Sequence, residues 1–402
     1  MTKEFKKLLK EFVAIPSVST DPIYKDSIKK ASKWLASYCS KSGMKAKIIT
    51  GYDNPIIIAK TPYKVGKETV LIYGHYDVQP AQKEDGWKTD PFILTEKQGR
   101  LYGRGATDNK GQILTHLYSI AGLIKENRLS YNVTFFIEGN EETGSPNLSK
   151  FIRKYKKELE CDCVMISDGA LAPENLPALE CSFRGVANME VILETALDDV
   201  HSGLFGGVTP NAAEELAKIV GSLTDLVGKK NGFKVKTTRY DKRVGLDRTV
   251  EVTGFSSGYT GTGFRNSIPC KAVAKLNLRS KPNEDPNDFV KEVKKYILKQ
   301  TPRYARVRFK VGESASGIML NLSDKFNQKT RKILESVYKQ KVVNVNCGAI
   351  LPIVRDFDTL LKVPQVMVPL ANEDCGMHSA SENISIEALK KGLEFSQKFF
   401  SV

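Results

Sequence analysis

The stretch LIYGHYDVQP, residues 71–80, decides how this chain is read. An apolar run ends at Gly74, and His75 and Asp77 follow at once. The chain holds four histidines in 402 residues, so one set at the end of a buried segment asks for a reason. The run itself, ETVLIYG at 68–74, is short, β-branched and aromatic, as a strand buried on both faces would be.

Two further runs have this texture, NVTFFIEG at 132–139 and DCVMISDG at 162–169. Amphipathic stretches separate them: residues 109–128 and 147–159 both read as helices. A helix at 26–42 carries Ile28, Ala31, Leu35, Tyr38 and Cys39 on one face and stops at Gly43, a C-terminal cap. Strand–helix alternation predicts an α/β layer with a largely parallel central sheet flanked by helices.

The texture changes near Cys181. VANMEVILET (186–195) alternates like a half-exposed strand, and a helix follows at about 210–226. After the Gly/Ser/Thr-rich loop 254–264 come a strand at 271–280, a helix at 286–299 and a strand at 305–312. This predicts an inserted α+β sandwich over 182–313, within a first domain made of 1–181 and 314–402. The last part of the chain returns to helix (325–340), strand (363–370) and a helix from about 385. A length of 402 residues suits two domains.

Composition narrows the class. Hydrophobic residues make up 41% and charged residues 27%, ordinary for a globular protein. No apolar run approaches the roughly 18 residues that span a membrane, so no membrane partner is expected. At the start, Phe5, Leu8, Leu9, Phe12 and Val13 fall at helical spacing among lysines, unlike a secretory leader. Seven scattered cysteines form no disulfide framework, and a cytoplasmic location is expected. Cys161 and Cys163 would share one strand face, which suits packing better than zinc. The net charge of +15 is spread along helix faces without a nucleic-acid-binding signature, so no nucleic-acid partner is expected.

The chemistry lies just past the strand ends. After 68–74 come His75 and Asp77; after 132–138 come Glu141 and Glu142; after 162–167 comes Asp168. His378 follows the 363–370 strand, and LYGRGATDNKG (101–111) sets Asp108 just before a helix. Ligands collect at the carboxyl ends of parallel strands, so these groups should converge. Alone, His-x-Asp serves equally for packing, Glu-Glu for a solvated loop, and SDG for a turn. Together they form an acidic cluster that cations would neutralise, because close carboxylates raise one another's pKa. Mixed imidazole and carboxylate donors suit zinc, with manganese or cobalt as alternatives. The count suits two ions bridged by one carboxylate, an arrangement that hydrolyses amides and esters.

GHYDVQP, LYGRGATDNKG, EGNEETGS, SDG, DVHSGLFGG and MHSASEN, in that order, resemble the motifs of the M20 metallopeptidases. The resemblance is nearest to the subgroup of the cytosolic non-specific dipeptidases and carnosinases. It implies a zinc-peptidase-like catalytic domain and an inserted lid and dimerisation domain, forming a homodimer. It further implies that His75 and Asp168 bind one metal, Glu142 and His378 the other, and Asp108 both, with a cis bond after Asp108. Asp77 would orient His75, and Glu141 would be the general base acting on the water between the ions. His201 would reach the partner's active site and stabilise the oxyanion. Arg279 and Asn266 would contact the substrate. His116 receives no role.

One stretch departs from the subgroup. Where it has Arg-Glu-Gly-Gly-Ser-Ile-Pro, this chain has NCGAILP: Asn346 stands for the arginine, Cys347 for the glutamate and Ile350 for the serine. The expected function is hydrolysis of dipeptides or short peptides. An N-acyl amino acid deacylase on the same scaffold is the alternative, and a non-catalytic binding protein with a degenerate pocket is a further one.

Overall fold

A strand buried on both faces shows no alternation of burial, and the inner strands of the central sheet show none. In the computed structural model, which describes residues 2–227, 242–349 and 351–402, that sheet has six strands. They are β1 (Lys45–Ile49), β2 (Ile56–Lys60), β3 (Thr69–His75), β4 (Asn132–Glu138), β5 (Cys163–Ile166) and β6 (Gln365–Met367). Their order is β1-β2-β4-β3-β5-β6. β4 and β5 are buried at every position, as helices on both faces require. β3 runs parallel to β4 and β5, and β6 runs parallel to β5. β2 is antiparallel to both its neighbours, so the sheet is largely parallel, as expected, with one reversed strand.

Register sets the site. His75 pairs with Glu138 at the last rung of β3 and β4, and Tyr73 pairs with Ile166 at the end of β5. Residues just beyond these rungs therefore emerge from one rim of the sheet.

Helices α1 (Lys3–Val13), α2 (Lys25–Lys41), α3 (Lys110–Lys125), α4 (Leu148–Tyr155), α5 (Lys325–Tyr338) and α6 (Ile386–Phe400) cover the sheet. In α1 the apolar spacing buries Phe5, Leu9, Phe12 and Val13, and the Thr2 hydroxyl accepts from Phe5 N at 3.1 Å to cap it. Each side chain of this size contributes about 1.5–3 kcal/mol through burial. α2 ends as expected, with Gly43 in the left-handed region at φ +85°. α3 packs against α1, α6 and β3, and its first three turns are wholly buried except Tyr118. Gly111 is required there: a Cβ would lie 1.9 Å from the Ala106 carbonyl oxygen.

The chain divides into two compact units, Met1–Cys181 with Leu320–Val345 and Pro352–Val402, and Ser182–Met319 with Asn346–Leu351. The second unit is built on a four-stranded antiparallel sheet, in the order Thr249–Ser257, Lys271–Ser280, Gly185–Glu194, Arg306–Ala315. Burial alternates along Lys271–Ser280, because only one face is covered. Helices Ala212–Ser222 and Pro286–Gln300 cover that face, closing a core of Met189, Val191, Leu216, Leu276, Phe289 and Val293. This is the α+β sandwich that the alternating strands predicted. In the same unit Asn346 accepts from the Ser182 hydroxyl at 2.9 Å, and Gly348 O accepts from Arg184 Nε at 3.1 Å. Ile350, the position of the missing serine, lies outside the described residues.

Candidate metal centre

Every residue of the acidic cluster belongs to the first unit. His75 ends β3 fully buried. Its Nδ1 lies 3.0 Å from the Asp77 carbonyl oxygen and 3.3 Å from Asp77 Oδ1. Both partners are acceptors, so the ring carries its proton on Nδ1 and turns the Nε2 lone pair inward. Nε2 lies 3.1 Å from Asp108 Oδ1, 3.5 Å from Asp168 Oδ2 and 4.0 Å from Glu141 Oε2. It is buried and makes no hydrogen bond, as an atom facing a cation would be.

Asp77 also sets the glutamates. Its two oxygens accept from Glu141 N at 3.2 Å and Glu142 N at 3.1 Å, fixing the short turn Glu141–Thr143 that follows β4. Glu142 Oε2 then accepts from Gln79 Nε2 at 2.7 Å and lies 3.3 Å from His378 Nε2. His378 completes the second group, with Nε2 3.0 Å from Asp108 Oδ2. Its backbone is left-handed at φ 61°, a conformation that costs an L-residue about 1–2 kcal/mol. Asn383 Nδ2 anchors this loop on the carbonyls of Ser381, Asp374 and Cys375, at 3.0–3.3 Å.

Asp108 thus presents one oxygen to each imidazole. Two groups of donors result, His75 with Asp108 and Asp168, and Asp108 with Glu142 and His378. Within each, the ligand atoms lie within 4.8 Å of one another. The Asp108–Asn109 peptide bond is cis, the isomer the resemblance implied. Glu141 stands beside the first group without joining either. Among the described residues, neither Cys161 nor Cys163 joins such a group.

The electrostatics call for cations. Burial raises Glu141 well above the carboxylate range; His75 opposes this, and Asp168, Asp108 and Glu142 add to it. Burial pushes Asp108 up, but the His378 and His75 imidazoles outweigh it and hold Asp108 below its usual range. Asp108 and Glu142 together raise His378 to about 10. A cluster this hungry for protons takes divalent ions in their place, and the donor set of nitrogen and oxygen fits zinc, manganese or cobalt.

Sequence reading passed over several groups that hold the cluster. Asn109, Gln79, Arg104 and Glu382 all sit inside quoted motifs, yet their partners are largely distant in sequence. Asn109 Nδ2 donates to Ser167 O at 2.6 Å and Asp168 Oδ1 at 3.0 Å. His116 is buried, with Nε2 2.9 Å from the Ser167 hydroxyl and Nδ1 3.1 Å from that of Ser396.

The remaining expected residues belong to the second unit. His201 is exposed and its Nδ1 accepts from Gly203 N at 3.0 Å. The exposed Asn266 gives its carbonyl oxygen to Ser202 N at 3.1 Å. Arg279 Nε donates to Asn277 Oδ1 at 3.2 Å, while its buried Nη1 has no hydrogen bond.

The model of peptidase family M20/M25/M40 matches residues 71–401. The chain belongs to that family. It is 28% identical to the Cys-Gly metallodipeptidase dug1 of Schizosaccharomyces pombe, over 97% of this chain and 94% of the relative. It is 27% identical to the human Beta-Ala-His dipeptidase, over 99% and 89% of the respective chains. Among solved structures, the M20 metallo-carboxypeptidase Sso-CP2 of Sulfolobus solfataricus superposes with a TM-score of 0.80. That match has 26% identity and covers 99% of this chain and 98% of that one. The dipeptidase Dug1p of Saccharomyces cerevisiae gives a TM-score of 0.76 at 25% identity, over 98% and 95%. With its two donor groups, this M20 chain is a metal-dependent hydrolase acting on peptide bonds. Among the described residues, no helix is long and apolar enough to cross a membrane.

Proposed function

We propose that this chain hydrolyses the peptide bond of dipeptides or short peptides, with Glu141 as general base. The observation that carries the reading is the span of Asp108, whose two oxygens lie 3.1 and 3.0 Å from the two imidazoles. His75 and Asp168 would hold one ion, Glu142 and His378 the other, and Asp108 both. Zinc is the first choice, with manganese or cobalt as alternatives. When bound, such ions polarise the scissile carbonyl and acidify the attacking water. Glu141, beside the donors but not among them, takes a proton from that water. The water oxygen bonds to the carbonyl carbon, the C–N bond breaks, and Glu141 returns the proton to the leaving amine. Asp77 keeps the His75 ring turned and the Glu141 backbone in place.

The dipeptide class is supported by the relatives, whose names state dipeptidase activity on Cys-Gly and Beta-Ala-His. The second unit is read as a lid and dimerisation domain, extending the expected 182–313 segment. His201 would serve the oxyanion of the partner's site in a homodimer, and Arg279 and Asn266 would meet the substrate. The family resemblance supports these roles, and the unpartnered Arg279 Nη1 suits a carboxylate. The seven cysteines, none of them in a disulfide among the described residues, suit the reducing cytoplasm.

The N-acyl amino acid reading is favoured by Asn346 and Cys347, which remove a positive and a negative side chain from a loop that lines the substrate pocket in the dipeptidases. Metal analysis of the purified protein, with turnover measured on a dipeptide panel and on N-acetyl and N-succinyl amino acids, tests both. Two equivalents of metal with dipeptide turnover are expected. Turnover of acyl amino acids alone selects the second reading, and metal-free protein without turnover overturns both.

A further inference from the structure

Glu382 is fully buried four residues beyond His378. Its Oε1 accepts from Thr107 N at 2.9 Å and from Asp108 N at 3.1 Å. Its Oε2 accepts from Gly105 N at 3.0 Å and Arg104 Nη1 at 2.7 Å. Its own carbonyl oxygen accepts from Gly103 N at 3.2 Å. Arg104 then reaches the other way, its Nη2 donating to Pro80 O at 3.4 Å and His378 O at 3.3 Å. The Trp87 ring lies 5.4 Å from the guanidinium and covers it.

We propose that the Arg104–Glu382 pair is the positioning element of the two-metal site, clasping three segments that carry metal ligands so that Asp108 spans both ions. This inference rests on the two-metal reading above. The three segments are the end of β3 with the stretch that follows it, held through Pro80, the turn 103–108, and the loop bearing His378. Neither residue touches an ion. Their work is to fix the peptide planes on both sides of Thr107 and hence the direction of Asp108. Burying an ion pair yields little net stability unless its remaining valences are filled. Here they are filled by backbone groups of the ligand-bearing segments, which gives the pair a purpose beyond stability.

The carboxylate is required because all four side-chain contacts are donors. An amide at residue 382 would set its NH2 against either two peptide N–H groups or a peptide N–H and the guanidinium. It would also leave Arg104 without its counter-charge. Outer partners of metal ligands commonly cost about 10–100-fold in affinity when altered.

The test uses the full chain, stripped with a chelator and titrated with Co2+ while heat and visible absorption are followed. Wild-type protein is expected to bind two equivalents. Wild-type protein that binds none removes the two-metal reading and this inference with it. E382Q is expected to bind about 10–100-fold more weakly, with an altered visible spectrum. A folded E382Q with wild-type affinity and spectrum overturns the positioning role while leaving the two-metal reading intact. Phe399→Leu, a core change at the far end of α6, controls for lost stability and is expected to keep the wild-type Co2+ affinity. If it loosens Co2+ as much as E382Q does, the positioning role is overturned. Should E382Q fail to fold, E382D carries the test. It keeps the charge on a shorter stem and is expected to bind Co2+ more weakly than wild type; wild-type values there overturn the role.

Discussion

Asn109 donates through Nδ2 to Asp168 Oδ1, at 3.0 Å, and so leaves Oδ2 as the oxygen facing His75. The same NH2 group donates to Ser167 O at 2.6 Å, and the side-chain oxygen lies 3.4 Å from His75 N. One amide therefore ties the ends of β3 and β5 together immediately after the residue that spans both donor groups.

N109D puts a carboxylate oxygen where the NH2 now meets two acceptors. Repulsion from Asp168 Oδ1 and Ser167 O should turn Asp168 away from its group. The expected result is about 10–100-fold weaker binding of the ion held by His75 and Asp168, with the other ion less affected. Calorimetric titration of chelator-stripped protein resolves the two events. Equal affinities in N109D and wild type would remove this role for Asn109.

E141Q leaves both donor groups complete, because Glu141 belongs to neither. Metal content should remain at the wild-type level while kcat falls by about 100- to 10,000-fold, the range for loss of a general base. Metal analysis and steady-state kinetics on one preparation check both halves. Retained turnover in E141Q would reassign the base.

His116 gives a pH dependence with a definite sign. Burial lowers its pKa from 6.5 to about 3. The folded state therefore holds it neutral, while the unfolded chain takes up a proton as pH falls through 6.5. Its contribution to stability is full above that value and is lost progressively as pH falls toward the folded-state value. Between pH 6.5 and pH 5 the loss is about 1.6 kcal/mol, because the slope grows from half to nearly all of 1.36 kcal/mol per pH unit over that interval. H116Q cannot titrate, so its stability should fall less over that interval. Urea unfolding of both proteins at the two pH values, with chelator present, measures the difference. Parallel slopes would show that His116 does not carry this term.

The central strands were legible because burial on both faces gives each of β3, β4 and β5 an apolar run, VLIY, FFI and VMI, in place of alternation. The chemistry was legible because it sits at their carboxyl ends. β1 was not, since KAKII is mostly exposed and its partner β2 is a short run after Pro55. The helix expected over 147–159 ends at Tyr155, because the following lysines and Glu158 enter a turn instead of extending the apolar face. Glu382 was invisible for a different reason. Four of its contacts are with peptide N–H groups of residues 103–108, and a peptide N–H carries no mark of residue type. Asn109 likewise acts through distant strand ends that only the register brings together.

H378A tests whether the two donor groups load separately. The His378 side chain is 57% exposed, so its removal costs little packing. Alanine, an L-residue like the histidine it replaces, also meets a cost of about 1–2 kcal/mol at this left-handed position (φ 61°), so the substitution adds little new backbone strain. The second group would keep only Asp108 and Glu142, two carboxylates without their imidazole. The first group keeps all three of its donors, His75, Asp108 and Asp168, the first two of them buried. The expected outcome is a fall from two bound ions to one at moderate metal concentration. Excess metal should restore part of the second, because Gln79 still holds Glu142 in place at 2.7 Å. Turnover should fall with the second ion and recover only as far as it rebinds. Two tightly bound ions in H378A would mean that His378 is not a ligand, despite lying 3.0 Å from Asp108.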